Sequence, residues 1–371
     1  MLDLVAHAPI GLEDVTASEL AGLGLRVERV GTNEGRVEWT GSLADVAAAN
    51  LVLRTAERIT LALGRFRALH FAELRRKAAG LEWERWIGPD DRVALRVTSK
   101  RSKLYHERAI GDRVAGAIGD RLGHEIEIVA GAALDDPDAG VQLVLVRVFR
   151  DEVAVRIDTS GPRLHRRGYR QQTAKAPVRE TLAAALLAAS GWRPGEALVD
   201  PFCGAGTFPI EAALWARGVA PGTERSFRFE HWPQPVLRPE LVAPAPAAAP
   251  IAGSDRDAGA IEASRANAVR AGVDGAVEFT RRTVSEVELP DGASSGWIVT
   301  NPPYDVRTEA GGDVRDLYGA FGQVLRERFA GWRCTMMCAD DAFARATAID
   351  WDVGPLVSNG GVRVRVLHRV V

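Results

Sequence analysis

The chain has 371 residues, 46% of them hydrophobic and 26% charged, with a formal net charge of −2. That length holds two or three domains with cores of their own, and the near-neutral total excludes a generally basic nucleic-acid binder, so a polyanion would have to be met by local clusters. Cys203, Cys334 and Cys338 show neither metal-ligand spacing nor an even disulfide framework, and no signal peptide or apolar run of membrane-spanning length is evident; the expectation is a cytoplasmic monomer with no metal and no membrane partner.

In chain order, residues 1–65 read as short strands and helices punctuated by turns at Gly22-Leu23-Gly24 and between Gly31 and Gly35. This region is too small for an independent core and is expected to pack on the adjoining domain. Residues 66–160 carry a helical stretch at 71–79, an apolar strand at 93–97, a helix at 109–122, a short strand at 125–128 and alternating apolar positions at 141–148. Residues 153–158 are expected to pair with 141–148 as a hairpin across Arg150-Asp151-Glu152.

Two basic clusters interrupt this pattern. One is Lys100, Arg101 and Lys103, with Tyr105 beside it. The other is Arg163, Arg166, Arg167, Arg170, Lys175 and Arg179, interleaved with His165 and Tyr169, with no acidic residue between Asp158 and Glu180. Cations spaced by aromatics suit phosphate contacts plus base stacking; the plainer alternative is a solvated face.

The second half reads as an α/β unit. A helix at 178–189 leads to a buried strand at 196–199 and then to Asp200-Pro201-Phe202-Cys203-Gly204-Ala205-Gly206. Gly204 and Gly206 permit positive φ or close approach, and the helix beginning at Thr207 tolerates Pro209 in its first turn. A ligand would meet free N–H groups there, beyond the strand's carboxyl end. Pro209 stands where a dinucleotide fingerprint needs its third glycine, and no Gly-Lys-Ser/Thr follows, so neither nucleotide motif is present. Asp200 suits a ligand that is positive or donates hydrogen bonds. After an excursion rich in proline and alanine at 233–250, a second strand ends near Asp255. That residue is positioned for the two hydroxyls of a ribose, with Asp257 the second candidate and a helix N-cap the competing role. Arg256 lies between them.

The strand at 297–300 ends in Asn301-Pro302-Pro303-Tyr304. Two prolines fix two φ angles and remove two donors, and the residue ahead of them is pushed into extended geometry. The corner presents an amide, a free carbonyl and an aromatic ring together, a combination that can grip a planar amine; alone it could be an ordinary rigid turn. A helix at 317–329, a strand at 334–338 and a late antiparallel strand at 362–367 complete the pattern.

These motifs together resemble the class I S-adenosylmethionine-dependent amino-methyltransferases. Leu164-His165-Arg166-Arg167-Gly168-Tyr169-Arg170 and Ala176-Pro177-Val178-Arg179-Glu180-Thr181 resemble the segment ahead of the catalytic domain in bacterial 23S ribosomal RNA guanine-N2 methyltransferases. Residues 96–105, Pro9-Ile10-Gly11-Leu12-Glu13 and Leu53-Arg54-Thr55-Ala56-Glu57-Arg58 resemble the THUMP-containing region of the same enzymes. The resemblance implies an α/β, Rossmann-like seven-stranded methyltransferase domain at 178–371, a ferredoxin-like region at 1–65, a THUMP RNA-binding domain at 66–160 and a basic linker at 161–177. It implies S-adenosylmethionine held by Asp200, Pro201, Phe202, Cys203, Gly204, Gly206, Thr207, Asp255, Arg256, Thr283 and Asn301. Thr283 stands where the family has an Asp for the adenine amine. Catalysis falls to Asn301, Pro302, Pro303 and Tyr304, and RNA contact to Lys100, Arg101, Lys103, Arg163, Arg166, Arg167 and Arg170. The implied substrate is ribosomal RNA at guanine N2; transfer RNA, adenine N6 in DNA, and an inactive RNA-binding assembly factor are the alternatives.

Overall fold

The computed structural model describes residues 1–131, 134, 140–171, 178–234, 236–241, 243, 245, 249–304 and 314–371. Its first half is one sheet backed by helices: β1 (Leu2–His7), α1 (Glu13–Gly22), β2 (Arg26–Gly31), β3 (Arg36–Gly41), α2 (Leu43–Val52), β4 (Arg58–Arg67), α3 (Phe71–Ala79), β5 (Arg92–Lys100), α4 (Glu107–Leu122), β6 (Val141–Phe149) and β7 (Glu152–Asp158). The strands lie in the order β2-β3-β1-β4-β7-β6-β5.

Local chemistry sets several boundaries. Ser42 and Asp45 form a reciprocal capping box at the start of α2, and α4 stops at Gly123, whose φ of 78° is left-handed. The expected hairpin is present: β6 and β7 pair from Val144–Ile157 to Phe149–Glu152 across Arg150 and Asp151, both at positive φ. The expected strand at 125–128 is instead a single bridge between Ile128 and Val93. β4 pairs with both β1 and β7, so the sheet runs unbroken through residue 65. Its inner face joins α1 to α4 in one core that includes Leu4, Leu20, Trp39, Val46, Leu61, Leu74, Val114 and Val155.

The second half contains α5 (Glu180–Ser190), β8 (Leu198–Asp200), α6 (Thr207–Ala216), β9 (Ile251–Asp255), α7 (Ala258–Arg270), β10 (Glu278–Arg281), β11 (Trp297–Thr300), α8 (Val314–Arg328), β12 (Arg333–Cys338), α9 (Asp341–Ala346), β13 (Asp352–Asn359) and β14 (Val362–Val370). The order is β10-β9-β8-β11-β12-β14-β13. The first five strands of that order are parallel, and β14 runs antiparallel to both its neighbours, as expected for the late strand. The sequence pattern gives no sign of β13: its burial is irregular and it carries Gly354-Pro355 inside a bulge. From β8 the chain order runs outward through β9 and β10 on one side and β11 and β12 on the other. The crevice at such a reversal is where ligands bind in open α/β sheets. The three cysteines are free and buried.

The two halves share packing. Phe227, Phe229 and Trp232, from the excursion after α6, belong to the N-terminal core. Gly222 N–H donates to the Leu51 carbonyl at 2.9 Å, and the Arg54 guanidinium donates to the Val219 carbonyl at 2.6 Å. Among the described residues no helix is long and apolar enough to cross a membrane.

Candidate active site

Four parallel strands end side by side at the crevice. Asp200 closes β8, opposite Gly253 of β9, and Asp255 closes β9 opposite Arg281 of β10. Asp200 is buried, and its Oδ1 accepts from Phe202 N–H at 3.1 Å and from the Thr300 hydroxyl at 2.6 Å. The last residue of β11 is thus tied to the first strand, immediately ahead of Asn301. Burial raises the Asp200 carboxyl to about 7, against the hydrogen bonds that lower it.

The glycine turn is shaped for close approach. Gly206 has a φ of 84°, and a Cβ there would lie 2.9 Å from both the Phe279 ring and Ser264 Cβ. Asn267 Nδ2 donates to the Ala205 carbonyl at 3.0 Å and holds the turn down. Pro201, Cys203 and Thr207 are buried beneath it, and Phe202 stands edge-on to Phe321 at 5.4 Å. Pro209 occupies the third position of α6, where a missing donor does no harm.

The structure separates the two readings of the second acidic pair. Asp257 is the N-cap of α7, accepting from Gly259 and Ala260 N–H. Asp255 Oδ2 accepts from Gly204 N–H at 3.1 Å and Oδ1 from Asp257 N–H at 3.0 Å. Each oxygen keeps a lone pair for a further donor. Burial raises its pKa. Arg256 is exposed, and its carbonyl accepts from Arg281 Nε at 3.1 Å. Thr283 is exposed too. Its N–H and hydroxyl donate to Glu286 Oε2 at 2.9 and 2.8 Å, capping the short 3₁₀ turn Val284–Glu286.

At the proline corner, Pro302 is buried, Pro303 exposed, and Asn301 and Tyr304 half-buried. Among the described residues Asn301 Oδ1 is buried and has no hydrogen-bond partner. An unpaired buried acceptor is costly and calls for a donor from outside the fold. Tyr304 packs on the catalytic core; its phenol, also without a formed hydrogen bond, has the Asn359 side chain as its polar neighbour, and burial pushes its pKa up. Tyr318 reaches the Pro303 carbonyl at 3.5 Å. Asp305 lies outside the described residues. A turn with no room for a side chain, a free helix start and two carboxylates fit a cofactor that brings hydroxyls and a cation, and the orphaned acceptor beside them fits a substrate amine. Among the described residues no group of three His, Cys, Asp or Glu could hold a metal ion.

Thr300, Asn267, Ser264 and Phe279 support this site without standing out in the sequence. Thr300 adjoins Asn301 and could have been read from the strand's polar end; the others come together only through the tertiary fold.

The basic linker is corrected by the structure. Arg167 is buried, donates to the carbonyls of Leu164 and Arg54, and lies 3.7 Å from Glu211 of α6. Tyr169 is buried with its hydroxyl on Glu211 Oε1 at 3.0 Å. Arg170 makes a two-pronged pair with Glu180, at 3.0 Å from each oxygen, and donates to the Val178 carbonyl. These residues fasten the linker to the catalytic domain and do not form a solvent-facing phosphate cluster. Arg163 and Arg179 share Glu57 at 3.3 and 3.0 Å. Arg166, Lys100, Arg101 and Lys103 are exposed; Lys175 lies outside the described residues.

Against known families, residues 3–60 match the RlmL ferredoxin-like domain, residues 69–158 the THUMP domain, and residues 167–352 the RMKL-like methyltransferase domain. The chain belongs to the THUMP-containing class I S-adenosylmethionine-dependent RNA methyltransferases. This methyltransferase is 30% identical over 96% of its length to slr0064 of Synechocystis sp., a protein named for RNA methyltransferase activity, and covers 94% of it. It is 33% identical over 98% of its length to the ribosomal RNA large subunit methyltransferase K/L of Syntrophotalea carbinolica. It spans about half the length of such K/L relatives, 53% of that one and 50% of the Methylococcus capsulatus one. The crystal structure of SMU.472, a methyltransferase homologue complexed with SAH, superposes with a TM-score of 0.83 at 29% identity, covering 99% of this chain and 97% of that one. The cofactor of this methyltransferase is S-adenosylmethionine, and its substrate is RNA.

Proposed function

We propose that this methyltransferase methylates an exocyclic base nitrogen, guanine N2 of large-subunit ribosomal RNA. The observation that carries the chemistry is the unpartnered Asn301 Oδ1 at a corner locked by two prolines. The choice of ribosomal RNA is supported by the name of the K/L relatives and by the sequence of the segment ahead of α5.

A base amine is a poor nucleophile because its lone pair is delocalised into the ring. Asn301 Oδ1 and the Pro302 carbonyl accept its two N–H bonds, which favours a pyramidal nitrogen and frees the lone pair. Bound at the glycine turn, S-adenosylmethionine supplies an electrophilic sulfonium methyl. As positive charge develops on the nitrogen, the two fixed acceptors bind the transition state more tightly than the ground state. Asp255 accepts from the ribose hydroxyls, and Asp200, buried behind Thr300, favours a ligand that brings positive charge or donors. Tyr304 supplies the ring on which the extruded base stacks. Alignment of nitrogen and methyl contributes several kcal/mol by orientation alone.

Asn301→Ala tests this. Incorporation of labelled methyl into unmodified ribosomal RNA should fall by roughly 100-fold or more, while SAH affinity stays within about twofold by calorimetry. Equal turnover in the variant would remove Asn301 from the mechanism. Nucleoside mapping in cells lacking the protein should show N2-methylguanosine missing from ribosomal RNA. Its loss from transfer RNA, or loss of N6-methyladenine from DNA, would overturn the substrate assignment.

A further inference from the structure

The proline corner has a second orphaned acceptor beside it. Among the described residues, three buried side-chain carbonyl or carboxylate oxygens accept no hydrogen bond: Glu211 Oε2, Asn301 Oδ1 and Asn359 Oδ1. Glu211 belongs to the seam, where its other oxygen lies 3.7 Å from Arg167. The other two stand on either side of Tyr304. Asn359 closes β13, and its side chain is the polar neighbour of the Tyr304 phenol, with no hydrogen bond formed between them.

Strand registers bring Asn359 to the crevice. β14 runs antiparallel to β12, with Arg365 opposite Cys338, the last residue of β12. Val362, three residues nearer the turn, and Asn359 opposite it therefore overhang the carboxyl end of β12. Thr300, immediately ahead of Asn301, lies opposite Met336 of the same strand, so the hairpin tip and the proline corner share one end of the sheet. Along β13, Val357 and Asn359 are buried while Ser358 between them is exposed. Val357 belongs to the core on which Tyr304 packs, and strand alternation puts Asn359 on that face too.

The turn does not account for this amide. Gly360 and Gly361 supply the positive φ values themselves, 58° and 91°. Asn359 is 5% exposed, yet its oxygen is unpaired, and a buried acceptor without a donor costs stability. A leucine of similar size would fill the space without that cost.

The geometry points to Asn359 as a specificity-determining residue that reads the target guanine through its N1–H. Guanine carries two kinds of donor side by side on its Watson–Crick edge, the N2 amine and the N1–H. Adenine carries its N6 amine beside a bare N1, which accepts. Two fixed acceptors at one corner match guanine: Asn301 takes the reacting amine and Asn359 the N1–H of the extruded base. Against adenine the second acceptor would face a lone pair and stay unpaired, a mismatch that such sites turn into strong rejection. The inference rests on the guanine-N2 reading and supplies what Asn301 alone lacks, a reason to refuse adenine, since Asn301 can accept from either amine.

The test uses large-subunit ribosomal RNA assembled by splinted ligation, with either guanine or 2-aminopurine at the nucleotide the parent chain methylates. 2-Aminopurine keeps the reacting amine and replaces the N1–H with an acceptor. The parent chain should prefer guanine by about 100-fold or more in kcat/KM. Asn359→Leu should lower kcat/KM on guanine by about 30-fold and leave 2-aminopurine within about threefold, so the preference collapses. Asn359→Asp, which keeps an acceptor, should retain most of it. The Leu variant should melt no earlier than the parent chain and keep its SAH-dependent thermal shift. No preference in the parent chain, an unchanged preference in Asn359→Leu, or equal loss on both RNAs would overturn the inference; so would a marked fall in Tm, which would assign the amide to the fold. N2-methylguanosine formed with an unchanged preference sinks this inference alone, whereas methylated RNA without N2-methylguanosine sinks the guanine-N2 reading and this inference with it.

Discussion

The two seven-stranded sheets of this chain bury their strands in different ways. In the catalytic sheet the central strands are buried throughout: all of β8 and β11 and all but the first residue of β12. Helices cover both faces, so the candidate functional groups, Asp200, Asp255 and Asn301, stand where strands end. In the N-terminal sheet, burial alternates along β3 and β7. One face is core; on the other, Arg65, Arg96 and Arg147 are exposed while Val5, Ala94 and Leu143 are buried, so that face is only partly open. A parallel sheet concentrates chemistry at a line of strand ends; a half-covered sheet offers area but little enclosure. Methyl transfer needs the first and recognition of a long polyanion the second.

Variants at the seam and in the catalytic half can break or sharpen that contrast. Arg167→Ala should destabilise the folded chain by roughly 3–5 kcal/mol in urea melts, because it strips a buried charge partner from Glu211 and leaves the Arg54 and Leu164 carbonyls without a donor. The salt dependence of its binding to labelled RNA should not change; a flattened slope would return Arg167 to a role in RNA contact. Gly206→Ala should cost about 1–3 kcal/mol, combining a left-handed φ with contacts at 2.9 Å to Phe279 and Ser264, and should abolish the SAH-dependent thermal shift. A variant that melts like the parent and still binds SAH would show the turn to be loosely built.

A smaller effect is expected from pH. Burial raises the Asp200 carboxyl from its ordinary 3.8 to about 7, so the fold favours the protonated form. That stabilisation is fully present below about 4 and is lost as pH rises through about 7. Asp200→Asn removes the titration. Relative to the variant, the parent chain should therefore lose about 1–2 kcal/mol between roughly pH 6 and 8. A constant difference across that range would mean the carboxyl is ionised throughout. Least of all should Tyr304→Phe matter: the phenol makes no formed hydrogen bond, so turnover should stay within about twofold and stability within about 0.5 kcal/mol. A large loss would assign the hydroxyl a role the ring alone does not have.

The catalytic half was legible in sequence because its signals are local. A buried strand, two glycines, an acid at the next strand's end and a double proline each state their geometry within a few residues. The choice between Asp255 and Asp257 as helix cap was not legible, since both lie within reach of the same turn and only the backbone path decides. The linker misled for a physical reason. Consecutive cations in a non-periodic segment carry no mark of which one points inward, and Arg167 points to Glu211, 44 positions away in the chain. The exposed part of that face was half readable: Arg96, Thr98 and Lys100 alternate with Leu95 and Val97 along β5. Nothing local could set β4 against β7, a pairing across some ninety residues that brings Arg65 and Arg156 onto one surface.

Phe227, Phe229 and Trp232 leave the catalytic half and finish inside the core of the other, with Arg54 and Gly222 bonded across the seam. Such an anchorage makes the molecule a caliper, because the N-terminal sheet and the proline corner cannot slide apart without tearing aromatic rings from their bed. For an RNA that touches both halves, the choice of target would then be partly a matter of reach, set by the fixed distance between them.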